Sequence, residues 1–176
     1  MTRGPGQVSI GPAHRANTDA RLIRRHPVVS ALGALVLAGA VAAPLVAYVV
    51  VPALVKSTLV EDLPVARAPS VTVSQGEFVR INAADYGSGV VRIVKVGDDR
   101  FLRFENVDIA GAPDMYVYLS DSTDGRPGAF TDLGRLKATN GSFNYPLPAG
   151  VDLAKARSVV VWCRQFTVTV TYAVLR

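Results

Sequence analysis

The residues able to do chemistry are few, and one stands apart. Cys163 is the single cysteine of the 176-residue chain, set between Trp162 and Arg164. A thiol with no partner in its own chain could act as a redox thiol or, once ionised, as a ligand to iron, and a guanidinium next to it would favour the anion. A buried thiol instead packs as a small hydrophobe, and the residues alone leave both readings open. In a strand, Val159, Val161 and Cys163 share one face while Val160 and Trp162 share the other. Trp162 therefore packs apart from the sulfur and reads first as a core aromatic. Met115 follows the turn Gly111-Ala112-Pro113-Asp114. Its thioether could ligate haem, although a methionine in a strand more often fills the core.

What is missing narrows the chemistry further. Both histidines, His14 and His26, precede the long apolar segment, so everything after it lacks imidazole. That excludes a Ser-His-Asp triad, a histidine zinc site, a His-ligated haem and a blue-copper site there. One cysteine forms neither an internal disulfide nor a thiolate zinc site. No metal site is predicted: Asp121-Ser122-Thr123-Asp124-Gly125 lacks the third acid and distal glutamate of a calcium loop, and Asp-Gly is first a turn signal. Gly87-Ser88-Gly89 has too few glycines to cradle phosphate. The net charge of +5 lies entirely between Met1 and Lys56; from Ser57 onward thirteen basic residues face thirteen acids. A nucleic-acid partner is not expected of a domain without net positive charge.

These side chains must be carried by elements of two kinds. From Pro27 to Val55 no residue is charged, across 29 positions rich in Val, Ala and Leu. About 20 helical residues cross a hydrocarbon core roughly 30 Å thick, so residues 27–55 are expected to form a transmembrane helix acting as a signal anchor, kinked at Pro44. Arg21, Arg24 and Arg25 flank it on one side against Lys56 on the other, which places residues 1–26 in the cytoplasm as a disordered basic tail and the rest outside. A cleaved signal peptide competes, with Ala40-Val41-Ala42 as its cleavage site, but its apolar core would span only about 7–15 residues. Residues 56–72, with Pro64 and Pro69, read as a linker. Residues 73–176 then form an all-β domain, an antiparallel sandwich or barrel of about seven to eight strands. The strands are expected at Phe78–Ile81, Val90–Val96, Phe101–Val107, Met115–Leu119, Ser142–Leu147, Ser158–Cys163 and Phe166–Leu175, with a single helical turn near Asp152–Arg157.

Several separated blocks resemble one family in order. Asn106–Ser120 holds a Gly-x-Pro-Asp turn, Gly111 to Asp114, followed by a strand with Tyr116 and Tyr118. Leu133–Lys137 leads through Gly141, Tyr145, Pro148 and Val151-Asp152; Arg157–Cys163 ends in Trp-Cys with Phe166 close behind; Gly76-Glu77-Phe78 and Gly89 open the domain. Over Gln75 to Leu175 the chain resembles the DM-thirteen domain, the electron-transfer domain of Skeletor-like animal proteins that is also common in bacteria. The resemblance implies electron transfer or oxidative modification at a cell surface, with the cysteine matching Cys163 acting as a bare thiol or holding a group such as haem. Tyr86 stands where many members have a histidine, so any role of that histidine is missing or altered here.

The expectation is therefore a single-pass plasma-membrane protein displaying an electron-transfer-type domain outside a bacterial cytoplasm. Cys163 is the redox candidate, with Trp162 and Arg164 beside it, and Met115 is a second ligand only if haem binds. The lipid bilayer is one partner, and a redox partner or an envelope protein another. The alternative is a non-catalytic cell-envelope binding module in which Cys163 is core packing. Whether the protein is an enzyme is left open.

Overall fold

The computed structural model describes residues 27–64 and 69–176. The basic tail expected over residues 1–26 lies outside the described residues. The chain divides into two compact units, Met1–Pro44 and Leu45–Arg176. Helix α1 (Pro27–Leu54) has 28 residues, with no acid in its first turn and no base in its last. At about 1.5 Å per residue it is about 42 Å long, more than a bilayer core requires. It runs on as one helix through Pro44 despite the missing N–H.

Among its described residues the second unit holds a sandwich of nine strands in two sheets: β1 (Thr58–Val60), β2 (Val71–Glu77), β3 (Gly87–Val96), β4 (Asp99–Ile109), β5 (Met115–Ser120), β6 (Phe130–Arg135), β7 (Asn140–Pro146), β8 (Ser158–Cys163) and β9 (Val168–Val174). One sheet has the order β1-β7-β4-β3-β2 and the other β6-β5-β8-β9. Every pairing is antiparallel except β1 with β7, which is parallel. The inner faces meet in a core centred on Phe104, whose ring centroid lies 5.0 Å from Phe143, 5.2 Å from Phe78 and 5.6 Å from Tyr145. The opposite sheet contributes Val117, Val159, Val161 and Val170, all fully buried. Burying aromatic and branched aliphatic faces between two sheets is what holds such a sandwich together.

Three sequence expectations change and one holds. Phe78–Ile81 is not a strand but the crossing between sheets: the Phe78 N–H donates to Gly89 O of β3, and the Val79 N–H donates to Tyr172 O of β9. The strand instead precedes it as β2, whose Ser-Gln-Gly stretch hides the alternation. The last strand begins at Val168 rather than Phe166, because residues 164–167 form a turn. Within the segment read as a linker, Thr58–Val60 pairs with Asn140–Ser142 and becomes an edge strand. The helical turn near Asp152 is present as a single turn, closed by the Lys155 N–H donating to Asp152 O at 3.1 Å.

Candidate functional site

The pairing of β5 with β8 sorts every candidate residue. Met115 lies directly opposite Cys163, and Tyr116 directly opposite Trp162. Directly paired residues project to the same face, so the first pair faces the core and the second faces away. Cys163 has no exposed surface. Its thiol donates a hydrogen bond to Pro113 O at 2.9 Å. Burial pushes its pKa up; backbone N–H groups of Phe166 and Gln165 act in the opposite direction, while Asp114 and Asp85 add to the rise. The sulfur is thus a protonated, enclosed thiol at neutral pH.

Arg164 does not serve that sulfur. Its Nε donates to the Tyr118 hydroxyl at 2.8 Å, its Nη2 pairs with Asp132, and its guanidinium lies 3.4 Å from the Tyr116 ring centroid. Arg164 opens the turn after β8 and folds back over the outer face of the sheet, where a planar cation stacks on phenol rings. Trp162 is half-buried on the same outer face rather than in the core.

Haem does not fit the residues proposed for it. Met115 is half-buried against the core cluster, and its side chain and that of Cys163 leave adjacent strands on one side with Cβ atoms about 4.5–5.5 Å apart. Two axial ligands must approach iron from opposite faces of the ring, and these two approach from the same one. A sulfur sealed at 0% exposure has no space beside it for a macrocycle. Among the described residues no group of three His, Cys, Asp or Glu side chains could hold a metal ion.

The sheet pairs, the Gly111–Asp114 turn and the inward cysteine at the end of β8 lie within residues 77–175, which match the family model described as Electron transfer DM13. The chain belongs to that family. No curated protein and no solved structure matches it. The matched region of this DM13 chain begins at the last residue of β2 and covers β3 to β9.

At the position where the DM13 resemblance leads one to expect histidine, Tyr86 accepts a hydrogen bond from Lys56 Nζ at 2.9 Å and carries the Arg80 guanidinium 4.6 Å from its ring centroid. Lys56 also pairs with Asp108. A phenol beside two cations keeps a polar, cation-facing surface at this position.

The outer face of the β6-β5-β8-β9 sheet was not singled out by sequence reasoning. It carries Tyr116, Tyr118, Trp162 and Tyr172, with Phe130 stacked 4.1 Å from Tyr118. The loop after β5 folds across this face. Gly125, at φ +84°, rests on the Tyr172 ring where a Cβ would overlap it, and Thr169 Oγ1 donates to Gly125 O at 2.6 Å. Between that loop and the Val79–Ile81 crossing lies a cleft of about 560 Å³ with Trp162 and Tyr172 in its lining. Alternation marks Tyr116 and Tyr118 as one face of β5. Only the β5–β8 pairing, which the sequence does not declare, brings them beside Trp162.

Proposed function

We propose that this DM13 chain is an electron-transfer module tethered outside the plasma membrane by α1, and that Cys163 keeps its proton inside the sandwich. The observation that carries the reading is the family match over residues 77–175, which coincides with the seven strands that build most of both sheets. The length of α1 and its lack of charge support a membrane anchor, and the arginines before it support an outside position for the β domain. The enclosed thiol with its Pro113 hydrogen bond supports a structural cysteine, which becomes a redox group only where the Pro113 and 164–167 turns open.

The test is voltammetry of the full chain purified from its membrane, wild type beside Cys163→Ser. A reversible wave kept by Cys163→Ser supports electron transfer with a structural thiol. A wave lost in Cys163→Ser assigns the chemistry to the sulfur and overturns the structural part. Silence in both, with and without membrane extract, overturns the electron-transfer reading.

The burial of Cys163 also favours a second reading, a non-catalytic module that binds an envelope component. Under that reading Cys163→Ala loses a modest amount of stability and none of its binding, and neither protein exchanges electrons.

A further inference from the structure

The cleft beside Trp162 has the dimensions and lining of a small-molecule site. Its volume of about 560 Å³ falls within the roughly 300–1,000 Å³ of such pockets. Trp162 and Tyr172 give it aromatic surface, and Val79, Ile81 and Val168, between 36% and 45% exposed, give it aliphatic walls. Its charged groups are Arg80, Arg126 and Asp124, a positive balance. Arg80 is engaged by the Tyr86 ring and Asn82 O. Asp124 accepts from the Ser122 hydroxyl and the Arg126 N–H. Among the described residues, Arg126 enters hydrogen bonds only through its backbone N–H and carbonyl, leaving its guanidinium without one, and the Trp162 indole N–H enters none.

The Arg126 guanidinium and the Trp162 indole N–H are therefore free donors in the cleft, while the second oxygen of Asp124 and the Thr167 and Tyr172 hydroxyls can still accept. A sugar, whose hydroxyls both donate and accept, is the rival occupant. A flat conjugated ring with carbonyl oxygens at its rim is well matched: the ring stacks on aromatic faces, and the carbonyls accept from guanidinium and indole N–H. We infer that this cleft binds the headgroup of a quinone-class electron carrier. The choice of carrier rests on the electron-transfer reading above, while the match of donors to carbonyls rests on the cleft. Such a ligand would bring to the module the exchangeable redox group that Cys163, sealed in the core, is not placed to supply.

Trp162 is the single tryptophan of the chain, so its fluorescence, excited selectively over the six tyrosines, reports on this cleft. The full chain in detergent is titrated with menadione, with no reductant present, and separately with cellobiose. Saturable quenching by menadione is expected. Arg126→Ala should weaken it about tenfold through the loss of one charge-assisted hydrogen bond. Ile81→Glu, on an exposed wall, should weaken it through an added negative charge, and Cys163→Ser should leave it unchanged. Thermal melts confirm that each variant is folded. Quenching that rises linearly without saturation, an affinity indifferent to both Arg126→Ala and Ile81→Glu, or saturation by cellobiose in place of menadione would overturn the inference. Because the titration involves no electron flow, menadione binding with silent voltammetry sinks the electron-transfer reading alone, and a voltammetric wave without menadione binding sinks this inference alone.

Discussion

At the scale of single residues, Cys163 and Tyr145 make the protein sensitive to alkali. Burial raises both pKa values above the ordinary 9.0 of the thiol and 10.0 of the phenol; for Tyr145, a hydrogen bond from the Lys137 N–H opposes the rise and the Glu61 charge adds to it. A folded-state pKa above the unfolded one gives stability that is complete below the unfolded value and is lost as pH rises through the folded one. The melting temperature should therefore fall as pH rises past about 9, and Tyr145→Phe should flatten the decline. That variant should also cost about 1–2 kcal/mol near neutral pH, since it strips a partner from the Lys137 N–H and Arg135 O. A Tyr145→Phe melt as steep with pH as wild type would refute this. By the same enclosure, Cys163 should take up a maleimide only after denaturation; fast labelling of native protein would contradict its burial. The two-residue period of Ser158–Cys163, a strand whose bounds the sequence marks correctly, made the grouping of Cys163 with Val159 and Val161 legible, but apolar residues on both faces left open which group turns inward. The direction of Arg164 was not legible, because it stands one residue past the strand, where the chain turns and the period no longer applies.

At the scale of elements, the informative pieces are those the composition disguised. β1 looks like linker because three residues are too few to show a pattern, yet it is clamped. Glu61, just after it, accepts from the Asn144 N–H at 2.9 Å and from Lys137 Nζ at 3.0 Å, while Arg103 Nη1 donates to its backbone carbonyl at 2.6 Å. The Asn144 N–H, more than any other group, holds the Glu61 carboxyl below its ordinary range; burial opposes it, and Lys137 and Arg103 add to the lowering. Its contribution is thus present above the ordinary carboxylate pKa and lost as pH falls through the lowered one. The side chain is a third exposed, so solvent screening limits the effect to roughly 1 kcal/mol or less. Hydrogen exchange of Thr58–Val60 should accelerate several-fold in Glu61→Gln, or on acidification, while β8 stays protected; equal acceleration of both would point to global loosening instead. The turn after β8 holds a different kind of tension. Thr167 adopts φ +55°, a region that β-branched residues avoid. Thr167→Gly should relieve roughly 1 kcal/mol of strain and raise the melting temperature by a few degrees. An unchanged or lower melting temperature would mean that contacts of the threonine side chain outweigh the strain.

At the scale of the whole molecule, the sandwich is assembled from distant pieces. Thr58 meets Asn140, Met115 meets Cys163, and Gln75 exchanges backbone hydrogen bonds with Arg176 across the seam between β2 and β9. The alternating pattern made an all-β fold readable, but strand order was not, because pairing depends on which turns and faces meet in space. The aromatic centre depends on both sheets closing. Phe104→Ala should cost about 3–5 kcal/mol, the usual penalty for emptying an aromatic site in a packed core; a loss under about 1 kcal/mol in denaturant melts would show that the core repacks freely. Chains joined through contacts far apart in sequence fold slowly. Until β5, β8 and β9 have come together, the lone thiol has no shelter, and any oxidant nearby can couple it to a second molecule. The hazard of an odd cysteine therefore belongs to the time of assembly rather than to the finished protein. Concentrated refolding in air should yield covalent dimers that Cys163→Ser never forms, while native material stored in the same buffer stays uncoupled.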